Sequence, residues 1–231
     1  MSRRNKLEKF AELLTFPNVY QNYHYKNPRL QGTHGQEVDL KGRWCSEHFK
    51  NDAPLVVELA CGGGEYTLAL AEQYPMKNFV GVDIKGNRIW KGARKALEAD
   101  LRNVAFLRTR IEQLMHFFAP DEIDEIWITF PDPFLRKSKA NRRLTSPHFL
   151  DTYWTLLKKD GEVHLKTDSP ELFAFTLDSL QEHRSCEVIC ADHDIYSKTL
   201  TQPELAIQTF YEKMHLAEGK TIKHIQFRFR S

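Results

Sequence analysis

The chain has 231 residues, 41 % of them hydrophobic, and 33 Lys or Arg against 31 Asp or Glu, for a formal net charge of +2. It can bury one sizeable core, has no apolar run of about 18 residues, and opens on "MSRRNKLEKF", which lacks the apolar stretch of a secretory signal. Cys45, Cys61, Cys186 and Cys190 show no C-x-x-C spacing and the histidines no paired ligand pattern, so we expect no membrane span, no disulfide scaffold and no metal site, but a cytoplasmic protein with reduced thiols.

In chain order, "KLEKFAELL" reads as a short amphipathic helix and the tyrosine-rich "NVYQNYHYKNPRL" as part of a basic arm carrying Arg3, Arg4, Lys26 and Arg29. Residues 1–50 carry nine Lys or Arg against five acids, a net +4 suited to a polyanion. We expect residues 1–50 to be a basic N-terminal helix and flexible arm, and residues 51–231 a single catalytic domain. From Pro54 strand-like and helix-like runs alternate. "PLVVELA" is a buried strand, "EYTLALAEQY" a helix, "NFVGVDI" a strand, "RIWKGARKALEA" a helix, "NVAFLRT" and "EIDEIWITF" strands. A helix begins after Ser146, and "GEVHLKTD" is the fifth strand of this series. "SPELFAFTLDSLQEH" is a helix, "CEVICAD" a strand, "PELAIQTFYEKMHLAEG" a helix, and "TIKHIQFRF" a last strand. Such alternation implies an α/β fold with a mainly parallel sheet and helices on both faces. Right-handed crossovers bring the loops after the first, second and fourth of these strands to one sheet edge, where ligands bind.

At that edge "VVELACGGGEYTLAL" turns a strand into a helix through Gly62 and Gly64, pointing backbone N–H groups at a ligand. A dinucleotide fingerprint starting at Gly62 requires glycine at position 67, where this chain has Thr67. The spacing instead resembles the E-x-G-x-G-x-G loop of class I S-adenosylmethionine methyltransferases, with Glu58, Gly62 and Gly64 in register and Ala60 in place of the first glycine. An acid at position 58 suits the cofactor's positively charged amino acid end, and Asp83, closing the next strand, suits its ribose hydroxyls.

After the fourth strand, Asp132 stands between Pro131 and Pro133, each of which restricts its own backbone and that of the residue before it. The carboxylate is therefore positioned, and it heads a run in which residues 131–145 carry five Lys or Arg against one acid. "FPDPFLRKSKANRRL" resembles the F-P-D-P-W-x-K-x-x-H-x-K-R-R-L signature of the tRNA (guanine-N7)-methyltransferases. "HLKTD" and "TFYEKMHLAEGKTI" resemble that family's later elements, with Asp168, Thr209 and Glu212 in register. Phe134 replaces the usual tryptophan, Arg136 the usual lysine, and "SKAN" a His-containing stretch.

The resemblance implies a Rossmann-like class I methyltransferase fold with an antiparallel last strand, S-adenosyl-L-methionine as cofactor, and methylation of a variable-loop guanine, guanine 46, at N7. It implies Asp132 as the catalytic residue, placed between cofactor and base and so also a cofactor contact, and Arg136, Asp168, Thr209 and Glu212 as substrate contacts. Arg142 and Arg143 are expected on RNA phosphates. At Arg110, where the family has Asp or Asn, either the side chain stacks on the adenine or a backbone amide makes the contact instead. No partner subunit is evident, so a monomer or homodimer is expected. An NAD-dependent oxidoreductase shares the sheet and Asp83 but requires a better glycine fingerprint; a non-enzymatic RNA-binding module leaves the glycine turn and Asp83 without a task.

Overall fold

The computed structural model describes residues 3–183, 185–200 and 202–230, with side chains from Leu7 onward, so the side chains of Arg3 and Arg4 lie outside the described residues. The elements are α1 (Arg3–Leu13), β1 (Val19–Gln21), β2 (Leu30–Gln31), β3 (Glu37–Val38), β4 (Leu55–Leu59), α2 (Glu65–Gln73), β5 (Asn78–Asp83), α3 (Gly86–Glu98) and β6 (Val104–Arg108). There follow β7 (Ile123–Thr129), α4 (Pro147–Leu156), β8 (Leu157–Thr167), α5 (Pro170–Glu182), β9 (Cys186–Asp192), α6 (Phe210–Ala217) and β10 (Lys223–Phe229). One sheet runs in the order β3-β2-β1-β6-β5-β4-β7-β8-β10-β9. Its centre, β6 to β8, is parallel, and β10 lies antiparallel between β8 and β9.

Every residue of β4 and β5 is buried, as expected of parallel strands covered on both faces. Leu55, Val57 and Leu59 enter one apolar cluster with Trp44 and Phe118, while Val56 enters another with Tyr66, Phe79, Ile89 and Phe106. Each such side chain, fully withdrawn from water, contributes about 1.5–3 kcal/mol before the entropy of ordering it is subtracted. The helices begin where the sequence marks them: Ser169 accepts from the Leu172 amide ahead of Pro170, and Thr209 accepts from the Glu212 amide.

Two expectations differ from the structure. Part of the N-terminal arm is strand: β1 pairs in parallel with β6 and β2 and β3 follow as antiparallel neighbours, so the N-terminal segment extends the same sheet. Strands of two or three residues are too short to leave an alternation in the sequence. Likewise "PELAIQTFYEKMHLAEG" is not one helix. A short 3-10 turn at Pro203–Ala206 ends in extended backbone at Ile207, and α6 starts only after the Thr209 cap.

Candidate active site

The glycine turn that follows β4 is built from left-handed backbone: Ala60, Gly62 and Gly64 have φ of 57°, 58° and 69°. At Gly64 a Cβ would lie 2.6 Å from the Phe106 ring, so this position admits glycine alone without a shift. At Gly62 nothing lies within 4 Å of where a Cβ would be, and its backbone faces open space. Asp83, at the end of β5 and only 7 % exposed, accepts from the Gly62 amide at 3.0 Å and from the Lys85 amide at 2.7 Å. Each carboxylate oxygen keeps a further lone pair for a ligand hydroxyl.

Glu58 lies inside the turn, accepting from the Thr67 amide at 2.9 Å, from the Thr67 hydroxyl, and from the Thr129 hydroxyl at 2.6 Å. Burial pushes its carboxyl up to about 7, against the opposing pull of those hydrogen bonds. A buried acid in that condition favours a nearby cation.

The loop after β7 is held in an unusual shape. Phe130 and Phe134, at its two ends, have φ of 48° and 41°, and Asp132 Oδ1 accepts from the Phe134 amide at 3.0 Å. Left-handed backbone at non-glycine residues costs about 1–3 kcal/mol each and persists only where surrounding contacts impose it. Arg143 supplies some of those contacts: its guanidinium donates to the carbonyls of Pro133 at 2.9 Å and Phe134 at 3.2 Å and lies 4.4 Å from the Phe175 ring. Asp132 itself is exposed.

Two cavities adjoin at this edge, both bordered by Ala60, Arg88 and Phe130. One, of about 570 Å³, is lined by Glu58, Gly62, Thr129 and the lip Thr209–Tyr211; the other, of about 430 Å³, by Asp83, Ile84, Thr109, Arg110, Asp132, Phe134 and Arg142. The fold thus gathers Glu58, Gly62, Asp83, Arg110, Asp132, Arg142 and Thr209 around one cleft. Arg110 is exposed with its guanidinium 5.3 Å from the Tyr25 ring, an aromatic of the N-terminal segment.

Five expected site residues line neither cavity. Gly64 is buried as the N-cap of α2, where its role is conformational. Arg136 is exposed on the loop, available to a large ligand. Arg143 departs from its expected place on phosphate: it is only 8 % exposed and occupied with the loop's own carbonyls. Asp168 sits near Lys220 at 3.4 Å and His215 at 3.5 Å. Glu212 is wholly buried against Lys166 at 2.8 Å, rather than open to substrate. Trp90, Lys9, Phe210 and Tyr211 stand at the rim of the larger cavity with no motif of their own to mark them, although the last two lie inside "TFYE" between Thr209 and Glu212. Phe210 and Tyr211 are exposed.

Solved structures share this architecture. The 16S rRNA methyltransferase KamB matches with a TM-score of 0.61 at 12 % identity, over 85 % of this chain and 97 % of that one. A mutant of the 16S rRNA (adenine(1408)-N(1))-methyltransferase from Catenulisporales acidiphilia, solved with cosubstrate SAM, matches with a TM-score of 0.57 at 15 % identity, over 85 % and 94 % of the two chains. Identities this low establish the fold alone. The glycine turn after β4, the carboxylate ending β5 and the Asp132 loop after β7 stand at one edge of this fold, the Rossmann-like fold of class I methyltransferases. A family described as putative methyltransferase matches residues 52–225, and the tRNA (guanine-N(7)-)-methyltransferase of Christiangramia forsetii is 46 % identical over 231 residues, the full length of both chains. The chain belongs to the tRNA (guanine-N7)-methyltransferase family. Among the described residues no helix is long and apolar enough to cross a membrane.

Proposed function

We propose that this enzyme transfers a methyl group from S-adenosyl-L-methionine to N7 of guanine 46 in the variable loop of tRNA, forming 7-methylguanosine, and that it works in the cytoplasm without a second kind of subunit. Residues 51–231 form the catalytic domain, onto whose sheet edge the first 50 residues are built. The observation that carries this reading is Asp132, an exposed carboxylate held by two prolines and a pinned loop in the cavity that also holds Asp83, two residues beyond the Phe130 shared by both cavities.

The donor set suits the cofactor: Glu58 is a buried acid with no cation among its hydrogen-bond partners, Asp83 keeps lone pairs for two hydroxyls, and Gly62 leaves room for close approach. When bound, the cofactor supplies an electrophilic methyl on a sulfonium. Guanine N7 carries an in-plane lone pair and is nucleophilic at neutral pH, so no strong base is required and alignment is the main task. Asp132 accepts from guanine N1–H and N2–H, which turns N7 toward the cofactor and favours the cationic product electrostatically. Adenine lacks that donor pair and is rejected. Arg136, Lys137, Lys139 and Arg142, all exposed, hold phosphates, and activity is expected to fall with salt. Phe210 and Tyr211 offer faces for unstacked bases, worth about 1–3 kcal/mol per base.

The test uses the purified chain alone with cofactor and tRNA lacking the modification, followed by digestion and mass detection of 7-methylguanosine. Product from tRNA with guanine at position 46, and none when that base is replaced, is expected; a folded protein that binds cofactor without yielding product overturns the reading.

Glu58 gives a pH dependence. Its carboxyl is raised to about 7 in the folded protein, so between the ordinary carboxylate range and 7 the folded state holds more protons than the unfolded state, and Glu58's contribution to stability falls as pH rises through that window. A bound cation favours the ionised form. Cofactor binding at pH 6 is therefore expected to release close to one proton, and affinity to rise toward pH 7. Calorimetry in two buffers of different ionisation enthalpy checks this, with the release lost in Glu58→Gln.

A further inference from the structure

Lys166, on β8, is 0 % exposed, and all three of its ammonium protons have acceptors: the carbonyls of Leu205 at 2.8 Å and Ile207 at 2.9 Å, and Glu212 Oε1 at 2.8 Å. Glu212 is equally buried and also accepts from the Tyr196 hydroxyl at 2.7 Å. Burial lowers the ammonium's pKa, and Glu212 opposes the shift. A buried ion pair is a weak source of net stability compared with apolar side chains of the same volume, but it permits few arrangements.

What it arranges here is the segment where the expected helix breaks. Two of the three bonds from Lys166 end on backbone carbonyls at the point where the 3-10 turn gives way to extended chain. The far side of this segment is tied to α2: the Phe210 amide donates to Glu65 at 2.7 Å and the Tyr66 hydroxyl to the Glu204 carbonyl at 2.8 Å. The lip Thr209–Tyr211 therefore reaches the larger cavity on a segment held between the Lys166 ammonium on β8 and two side chains of α2.

The main chain of the same residue holds the opposite wall. The carbonyl of Lys166 accepts from the Phe130 amide at 2.8 Å, and Phe130 is the left-handed residue that begins the Asp132 loop. One residue thus carries the Asp132 loop on its backbone and the aromatic lip on its ammonium.

We propose that Lys166, with Glu212 as its counterion, is a positioning residue that sets the spacing between Asp132 and the Thr209–Tyr211 lip, and so governs how the target base is presented. This rests on the reading that Asp132 and the lip receive a tRNA guanine. Neither Lys166 nor Glu212 lines either cavity, so their effect passes through the groups they hold.

The test compares Lys166→Met, Glu212→Gln, Tyr196→Phe and the double change of Lys166→Met with Glu212→Leu, which removes both charges together. Methylation of tRNA, cofactor affinity by calorimetry and thermal melting are measured on each. Displacement of a wall by about 1 Å is expected to lower kcat/KM for tRNA about 100-fold in Lys166→Met, with cofactor affinity held within about threefold. The double variant is expected to recover the melting temperature but not the activity, and Tyr196→Phe to fall between wild type and Glu212→Gln. Recovery of both folding and activity in the double variant makes the pair merely structural and overturns the proposal. So does unchanged kcat/KM in Lys166→Met, or equal losses of tRNA turnover and cofactor affinity. Wild-type protein in the same assay separates the two levels: if it fails to methylate tRNA, the reading of the site has failed rather than the role of Lys166.

Discussion

Asp132→Ala is expected to lower kcat/KM for tRNA by about 10³-fold while the dissociation constant for S-adenosyl-L-methionine changes by less than about threefold, since removal of a preorganised charged group at a reacting centre costs about 10²–10³. The loss divides into two effects. The carboxylate disappears from the position facing the base, and the Phe134 amide loses its acceptor, loosening one end of a loop whose end residues both stand in left-handed backbone. Asp132→Asn separates them: the side-chain oxygen can still accept from Phe134 while the negative charge is gone. If charge and alignment at the base matter most, the Asn variant retains the loop and still loses about 10²-fold. Single-turnover methylation with saturating cofactor reads the difference, and wild-type turnover by either variant would refute the role of Asp132.

Asp83→Ala should produce the complementary result: cofactor affinity falls about 10²-fold or more, and turnover at saturating cofactor is largely preserved. A hydrogen bond to a charged acceptor is worth about 1.5–3 kcal/mol, and about 1.4 kcal/mol is a factor of ten, so losing two from a ribose accounts for at least that much. The Gly62 and Lys85 amides lose their acceptor as well, which relaxes the glycine turn itself. Calorimetric titration with cofactor is the direct measurement. A dissociation constant within threefold of wild type removes Asp83 from the cofactor site.

The central sheet was legible because β4 and β5 are covered on both faces and read as unbroken apolar runs. The sheet-edge positions of Asp83 and Asp132 were legible for a related reason: one ends such a run opposite a glycine turn, and the other is bracketed by prolines. The burial of Arg143 and Glu212 was not legible because a charge in a sequence carries no sign of it; their partners, the Pro133 carbonyl and Lys166, are 10 and 46 positions away and meet them only in the folded chain. The break at Ile207 was hidden for the same reason. Helical spacing continues through "PELAIQTFYEKM", but the carbonyls that would carry the helix onward are taken by an ammonium from another strand. The short N-terminal strands left no periodicity, and their place in the sheet follows from the parallel edge that β6 presents to β1.

The place of β10 bears on how the molecule is made. It lies later in the chain than both of its neighbours, so a ribosome delivers β8 and β9 before the strand that must enter between them exists. Until then the exposed Val188 and Ile189 belong to a ribbon with no strand beside it, a state in which unpaired edges favour association with other nascent chains. Lys223, at the start of β10, approaches the Asp168 carbonyl beside the Lys166 strand, so this corner of the catalytic edge takes its final form only when the last strand is in place. For this enzyme the sheet on the Asp168 side stays divided until β10 has been made.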